Sequence, residues 1–251
     1  MAFKLLATLF LFLTVGLSCP AAQAQIELSP IRLAESLPDP VPTNQNGTTA
    51  HAFQMWTPVF IDFPMSRGKR LRGYFEASPR LGNNLNGMSQ LLIRQAIGYR
   101  ISKHTSAYVG HVWVSNYPDH THEQRIFQQF GVGHVLFKRL EVLHRTRLEE
   151  RFIQNTNGAC SMRARYLLRF ALPLKWRLYA VVSDELFVNL NSVENGPLRG
   201  IDQNRLYAGI GRQMSNQVRM EVGYQQQYVN ASDPTDDRAN HILMTQLFLT
   251  P

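Results

Sequence analysis

The residues best equipped for chemistry in this sequence are arginines and glutamates set two positions apart. Residues 143–152 read LHRTRLEERF, which places Arg145, Arg147, Glu149 and Arg151 on alternate positions. A strand would carry all four on one face, whereas a helix would scatter them around its cylinder. The pattern returns with Arg163, Arg165 and Arg169, with Glu185, with Arg205, and with Arg219 and Glu221. The same face is expected to hold Arg72, Arg94, Arg100, Arg125 and Arg177, with Glu76 and Glu123, so arginine is in surplus. A guanidinium stays charged at any ordinary pH and presents five donors to carboxylates or other anions. Two kinds of chemistry are open to such a set. One is an ion-pair network that fills and stiffens an interior. The other is a basic lining that binds or passes anions.

Other chemistries find less support. Asp119, His120, His122 and Glu123 include metal-ligating types, but they fall in an expected loop without a second cluster at ligand spacing. They read as a solvated loop. His144, Thr146 and His111 fall on outward faces, but no serine has an evident partner for acyl transfer. There is no phosphate-cradling glycine loop. Gly131, Gly133, Gly209, Gly211 and Gly223 read instead as places where strands bend or crowd. No catalytic residue, metal site or cofactor is therefore expected.

The elements that must position the arginines are long strands. Eleven segments alternate polar and apolar: 52–62, 70–79, 89–101, 105–116, 123–134, 139–152, 159–171, 176–190, 203–212, 217–229 and 238–250. Most exceed the usual length of soluble strands and suit tilted strands in a bilayer. Their apolar faces include Leu168, Val182 and Val222, while Asp184 interrupts one and is expected near a membrane edge. Tyr99, Trp113, Trp176, Tyr224 and Tyr228 suit interfacial girdles. Connections alternate between short turns, such as 102–104 and 135–138, and longer polar loops, such as 191–202. That is the habit of outer-membrane barrels, which must also close because lipid cannot satisfy an open edge.

The chain has 251 residues, 44% of them hydrophobic, and a formal net charge of +8. Residues 1–24 have Lys4, an apolar run to Leu17 and Ala22-Gln23-Ala24, which predicts a secretory signal peptide cleaved after Ala24. Cleavage would leave Cys160 as the one cysteine. Export argues against a nucleic-acid partner for the positive charge. Segment 25–51 is expected to supply a first strand at 25–35 and a long loop, and 52–251 the barrel. An even count is usual, so the expectation is an all-β antiparallel transmembrane barrel of about twelve strands, with ten the alternative.

RTRLEERF, RARYLLRF, SDELFVN, NRLYAGIGRQMSNQVRMEVGYQQQ and the final NHILMTQLFL resemble an uncharacterised bacterial outer-membrane barrel family, domain of unknown function 2490. The likeness covers about residues 52–250. It implies an envelope barrel of a Gram-negative cell and no activity. The expected surroundings are outer-membrane lipid, the barrel-assembly machinery and a small anionic solute. The leading functional expectation is a narrow, porin-like, anion-preferring pore. The alternatives are a closed barrel braced by its own Arg/Glu network and, with least support, a lipid-modifying enzyme.

Overall fold

The structure, a computed structural model, describes residues 50–82, 85–154, 156–230 and 237–251. The expected signal peptide and the strand expected at 25–35 lie outside them. The described residues form β1 (Ala50–Trp56), β2 (Val59–Pro64), β3 (Leu71–Leu81), β4 (Met88–Arg100), β5 (Thr105–Asn116), β6 (His122–Leu136), β7 (Leu140–Ile153), β8 (Cys160–Pro173), β9 (Leu178–Asn189), β10 (Gly200–Gln213), β11 (Val218–Val229) and β12 (Arg238–Leu249).

Each strand from β2 to β12 pairs antiparallel with the next in sequence, and the ring closes where β12 pairs with β2. It is a closed barrel of eleven strands. β1 is the twelfth segment and is added end-on to β2, because both pair with β12 in one continuous register, Trp56 opposite Met244 and Val59 opposite Leu247. The interruption falls at Pro58, which has no N–H to give a ladder. Its carbonyl still accepts from Leu247 N at 3.0 Å.

This corrects the expected strand count. The even number followed from the habit of single-chain bacterial barrels, in which every neighbour is antiparallel. Eleven alternating strands start and finish in the same direction, so the first and last must meet in parallel, and they do. The ring leaves no place between β12 and β2 for a further strand. Residue 50 consequently stands at the end of the barrel that carries the longer loops, and Leu249 at the end that carries the short turns 101–104, 137–139, 174–177 and 214–217.

Alternation sorts the side chains as the period of a strand requires. The outer wall exposes Ile97, Val109, Ile126, Leu206, Ile210 and Val222, each at least 39% exposed. The opposite positions carry most of the arginines and glutamates and point into the lumen. Asp184 lies inside β9 rather than at its end, and Asn204 Nδ2 donates to its carboxylate at 2.6 Å. Glu150, on the outward positions of β7, is fully buried, and Gln128 Nε2 donates to it at 3.5 Å.

The lumen is not wholly polar. Leu92, Ala96, Val112, Val114 and Phe127 form one buried cluster, and Trp56, Val181, Tyr207, Ile242 and Met244 another. Phe127 fits because Gly110 stands opposite it in register. A Cβ at that glycine would lie 2.3 Å from the Gln95 carbonyl oxygen and 2.8 Å from the Phe127 ring.

Candidate functional site

The candidate site is the charged lumen. Strands β7, β8 and β9 set its densest part, because their registers bring alternate residues level: Glu149 opposite Arg163, Arg147 opposite Arg165, and Arg165 opposite Phe187. Glu149 is completely buried. It accepts from Arg163 Nε at 3.1 Å and Nη2 at 2.7 Å, and from Arg165 Nη1 at 2.6 Å. Arg147 Nη1 stands 3.7 Å away. Arg165 also donates to Glu185 through Nε at 3.1 Å and Nη2 at 2.7 Å, and Arg145 Nη2 reaches the same oxygen at 2.8 Å. Arg165 thus joins two carboxylates, and each carboxylate holds more than one arginine. A carboxylate taken out of water is tolerable in such company because fixed donors replace its hydration.

Smaller ion pairs continue around the ring. Glu123 receives Arg125 Nε at 2.8 Å and Arg151 Nε at 2.5 Å. Glu76 receives Arg94 and the Tyr74 hydroxyl, and Glu221 receives Arg169 and the Tyr179 hydroxyl. Arg163 Nη1 donates to Asp202 at 2.7 Å, and Arg72 Nε to Asp62 at 2.7 Å.

All eleven residues singled out in the ladder pattern face the lumen, but they do not form one contact group. Arg145, Arg147, Glu149, Arg163, Arg165 and Glu185 are joined by the contacts above. Arg151 belongs with Glu123 on β6. Glu221 belongs with Arg169. Arg219 lies nearer the short-turn end, with its guanidinium carbon 5.3 Å from the centre of the Phe248 ring. Arg205 lies over Phe187 at 4.6 Å and Trp56 at 5.0 Å and has no carboxylate within ion-pair distance among the described residues.

Two expected members are not part of the site. Arg177 falls in the turn after β8, with φ of 60°, and is exposed. Arg100 is exposed at the end of β4. The expected loop cluster is dispersed: Glu123 turns into the lumen, His122 stacks on Trp113 at 5.7 Å, and His120 meets Tyr117 edge-on.

Other members were missed. Arg80 extends β3 past Pro79 and lies 3.7 Å over Trp56. It has the parity of Arg72 and Glu76, so carrying the alternation two positions beyond Ser78 would have found it. Asp202 comes inward where the register shifts between Ile201 and Gln203. The aromatic platforms also went unread. Arg147 lies 4.7 Å over Phe127, and Arg163 and Arg165 lie 5.1 and 4.2 Å over Phe187. A ring face attracts a cation and offers an arginine support without a counter-charge.

The network leaves space. A cavity of about 800 Å³ runs from Glu123, Asp202 and Val229 towards the longer loops to Val135, Glu141 and Thr250 near the short turns. Arg80, Arg205, Arg169 and Arg219 are among its walls. What such a space can do chemically is hold or pass a small polar solute, with anions favoured by the excess of guanidinium over carboxylate.

The sequence model of a family described as "Protein of unknown function (DUF2490)" matches residues 53–239. An uncharacterized protein of Methylorubrum extorquens is 31% identical over 183 residues, spanning 70% of this chain and 79% of the relative.

Proposed function

The chain belongs to the DUF2490 family of proteins of unknown function, a membership that assigns no activity, and we propose on that premise an outer-membrane β-barrel with a narrow, anion-preferring passage. The observation that carries the reading is the cavity of about 800 Å³ bounded by residues near both ends of the barrel, with arginines in excess around it. The outer wall supports the membrane part. Large apolar side chains are exposed on successive strands, Ile97, Val109, Ile210 and Val222 among them, and a contiguous apolar surface of that kind calls for a non-aqueous neighbour. Closure supports it too, since every strand has two partners and lipid cannot satisfy an open edge. On this reading the partners are outer-membrane lipid, the barrel-assembly machinery and a small anionic solute, and no catalytic step is assigned.

Purified protein in planar bilayers tests the passage. The expected result is a small conductance whose reversal potential in a potassium chloride gradient shifts towards the chloride equilibrium value. Absence of conductance would favour the second reading, a closed barrel braced by its own ion pairs, to which the complete burial of Glu149 lends support. Cell fractionation tests location. Recovery with outer membranes and heat-modifiable migration in detergent gels are expected, and recovery as a soluble periplasmic protein would overturn the proposal.

A further inference from the structure

We propose that Arg80 and Arg205, gathered at Trp56 on the lumen wall, form a binding site for a small doubly charged oxyanion of the phosphate or dicarboxylate class. The site deepens the passage reading and rests on one part of it, that the cavity is reachable from solvent. Arg80 lies 3.7 Å and Arg205 5.0 Å from the centre of the Trp56 ring. Both line the cavity, and both are only partly buried. Neither has a carboxylate within ion-pair distance among the described residues, which sets them apart from the arginines that hold Glu149 and Glu185.

Neutral groups hold the two arginines in place. Arg80 Nη1 donates to Gln90 Oε1 at 2.5 Å, and Arg205 Nη2 to Gln203 Oε1 at 3.2 Å. Each fork is left incompletely used, since neither Nε–H has an acceptor among the described residues. Arg125 adds to the same positive field. Two guanidinium groups held in a confined space without counter-charge are costly to maintain. An oxyanion with two negative charges supplies that counter-charge, and the planar fork of arginine matches phosphate and carboxylate oxygens. The volume of the cavity is in the range of small-molecule sites.

Trp56 supplies the readout. In protein purified in detergent and carrying Trp113→Phe and Trp176→Phe, Trp56 is the one remaining tryptophan. Inorganic phosphate and succinate, each titrated at constant ionic strength, are the probes. At least one is expected to give a saturable change in Trp56 fluorescence that chloride does not reproduce. Arg80→Gln and Arg205→Gln should each raise the half-saturating concentration about tenfold or more, as loss of a hydrogen bond to a charged group implies. Arg100→Gln, outside the lumen, should leave it unchanged. A non-saturable response to both probes, or a saturable one indifferent to both substitutions, would overturn the site. If a Gln variant loses its heat-modifiable migration, Arg80→Lys and Arg205→Lys retain charge without the fork and should weaken binding several-fold; unchanged affinity in both would overturn the site equally. Bilayer current separates this from the passage itself. Saturable binding without current removes the passage and leaves the site, whereas anion-selective current without saturable binding does the reverse.

Discussion

Two walls of the same lumen solve the problem of buried polarity differently. On β7–β9, Glu149 and Glu185 are each gripped by two arginines, and Arg165 bridges them. On β10–β12, next to the parallel seam, the buried inward polar residues are mostly amides, Gln203, Gln225, Gln227, Asn240 and Gln246, with Glu221 the buried carboxylate among them. There Arg205 has only Gln203 and aromatic faces for company. The ladder wall is organised by charges that would be intolerable singly, so its members are mutually dependent. Away from Glu221, the seam wall is organised by neutral donors and acceptors that tolerate partial satisfaction, so it can leave room. The difference predicts that stability rests mainly on one side and accessible positive charge on the other.

The comparison is broken most directly at Glu149. Replacing it with Gln leaves Arg163 and Arg165 buried beside a neutral group, and removing one partner of a buried pair typically costs about 3–5 kcal/mol. Arg151→Gln should cost much less, because Glu123 keeps Arg125 at 2.8 Å. Thermal or urea-induced loss of heat-modifiable migration should rank Glu149→Gln well below Arg151→Gln. Equal midpoints for the two would mean that the ladder is not a brace.

A charge on the outer wall comes next in size. Val222→Arg should cost about 2–4 kcal/mol if the residue faces the middle of a bilayer. Arg219→Gln, three residues earlier on the lumenal parity, should be tolerated far better. Similar losses of stability in lipid vesicles for the two variants would contradict the facing, and tolerance of Val222→Arg alone would contradict the membrane reading.

Most of the strands were legible because their alternation is strong and uninterrupted. The eleven segments read from the sequence correspond to the strands of the ring, and 52–62 spans most of β1 and β2. Closure was expected, but the parallel seam through which it is achieved was not legible. Alternation records which way a side chain faces but not which strand lies next door, and the rule of antiparallel neighbours called for a partner that the parallel seam makes unnecessary. The ladder of β7 and β8 was visible for the same reason as the strands. Arg80 was hidden because Pro79 resembles the end of a strand, and Arg177 was placed inward because the parity of β9 was carried back into the turn at Trp176 and Arg177, both with positive φ. Phe127 and Phe187 are inward positions that interrupt a polar face. They support arginines, and nothing in a one-dimensional pattern distinguishes that role from a misplaced apolar residue.

Between the two walls the lumen depends on close packing rather than charge. Gly110→Ala would place a methyl group 2.3 Å from the Gln95 carbonyl oxygen and 2.6 Å from the Ala96 side chain. Overpacking of this kind costs about 1–3 kcal/mol. Because Phe127 carries Arg147 on its face, its displacement should loosen that end of the ladder as well. Gly131→Ala, where the nearest atom would be 3.5 Å away, is the matched control and should be close to neutral on space alone. Indistinguishable melting of the two variants would show that Gly110 is not what admits Phe127.

The smallest effect is expected on the seam wall. Gln227 donates to Gln203 and accepts from Asn240 Nδ2 at 3.3 Å. Gln227→Leu removes both contacts and leaves an amide on each side without that partner. The cost should be near 1 kcal/mol, because neutral hydrogen bonds contribute about that much and the neighbouring cavity allows water to replace them. The variant also tests the division of labour between the walls. Gln203 is the residue that holds Arg205, so freeing its second contact should let Arg205 move while leaving Glu149 and Glu185 undisturbed. The expected outcome is a small fall in stability with a measurable change in anion preference across a bilayer. A fall as large as that of Glu149→Gln would mean that the amides brace the barrel as firmly as the ion pairs do, and the contrast between the two walls would lose its physical basis.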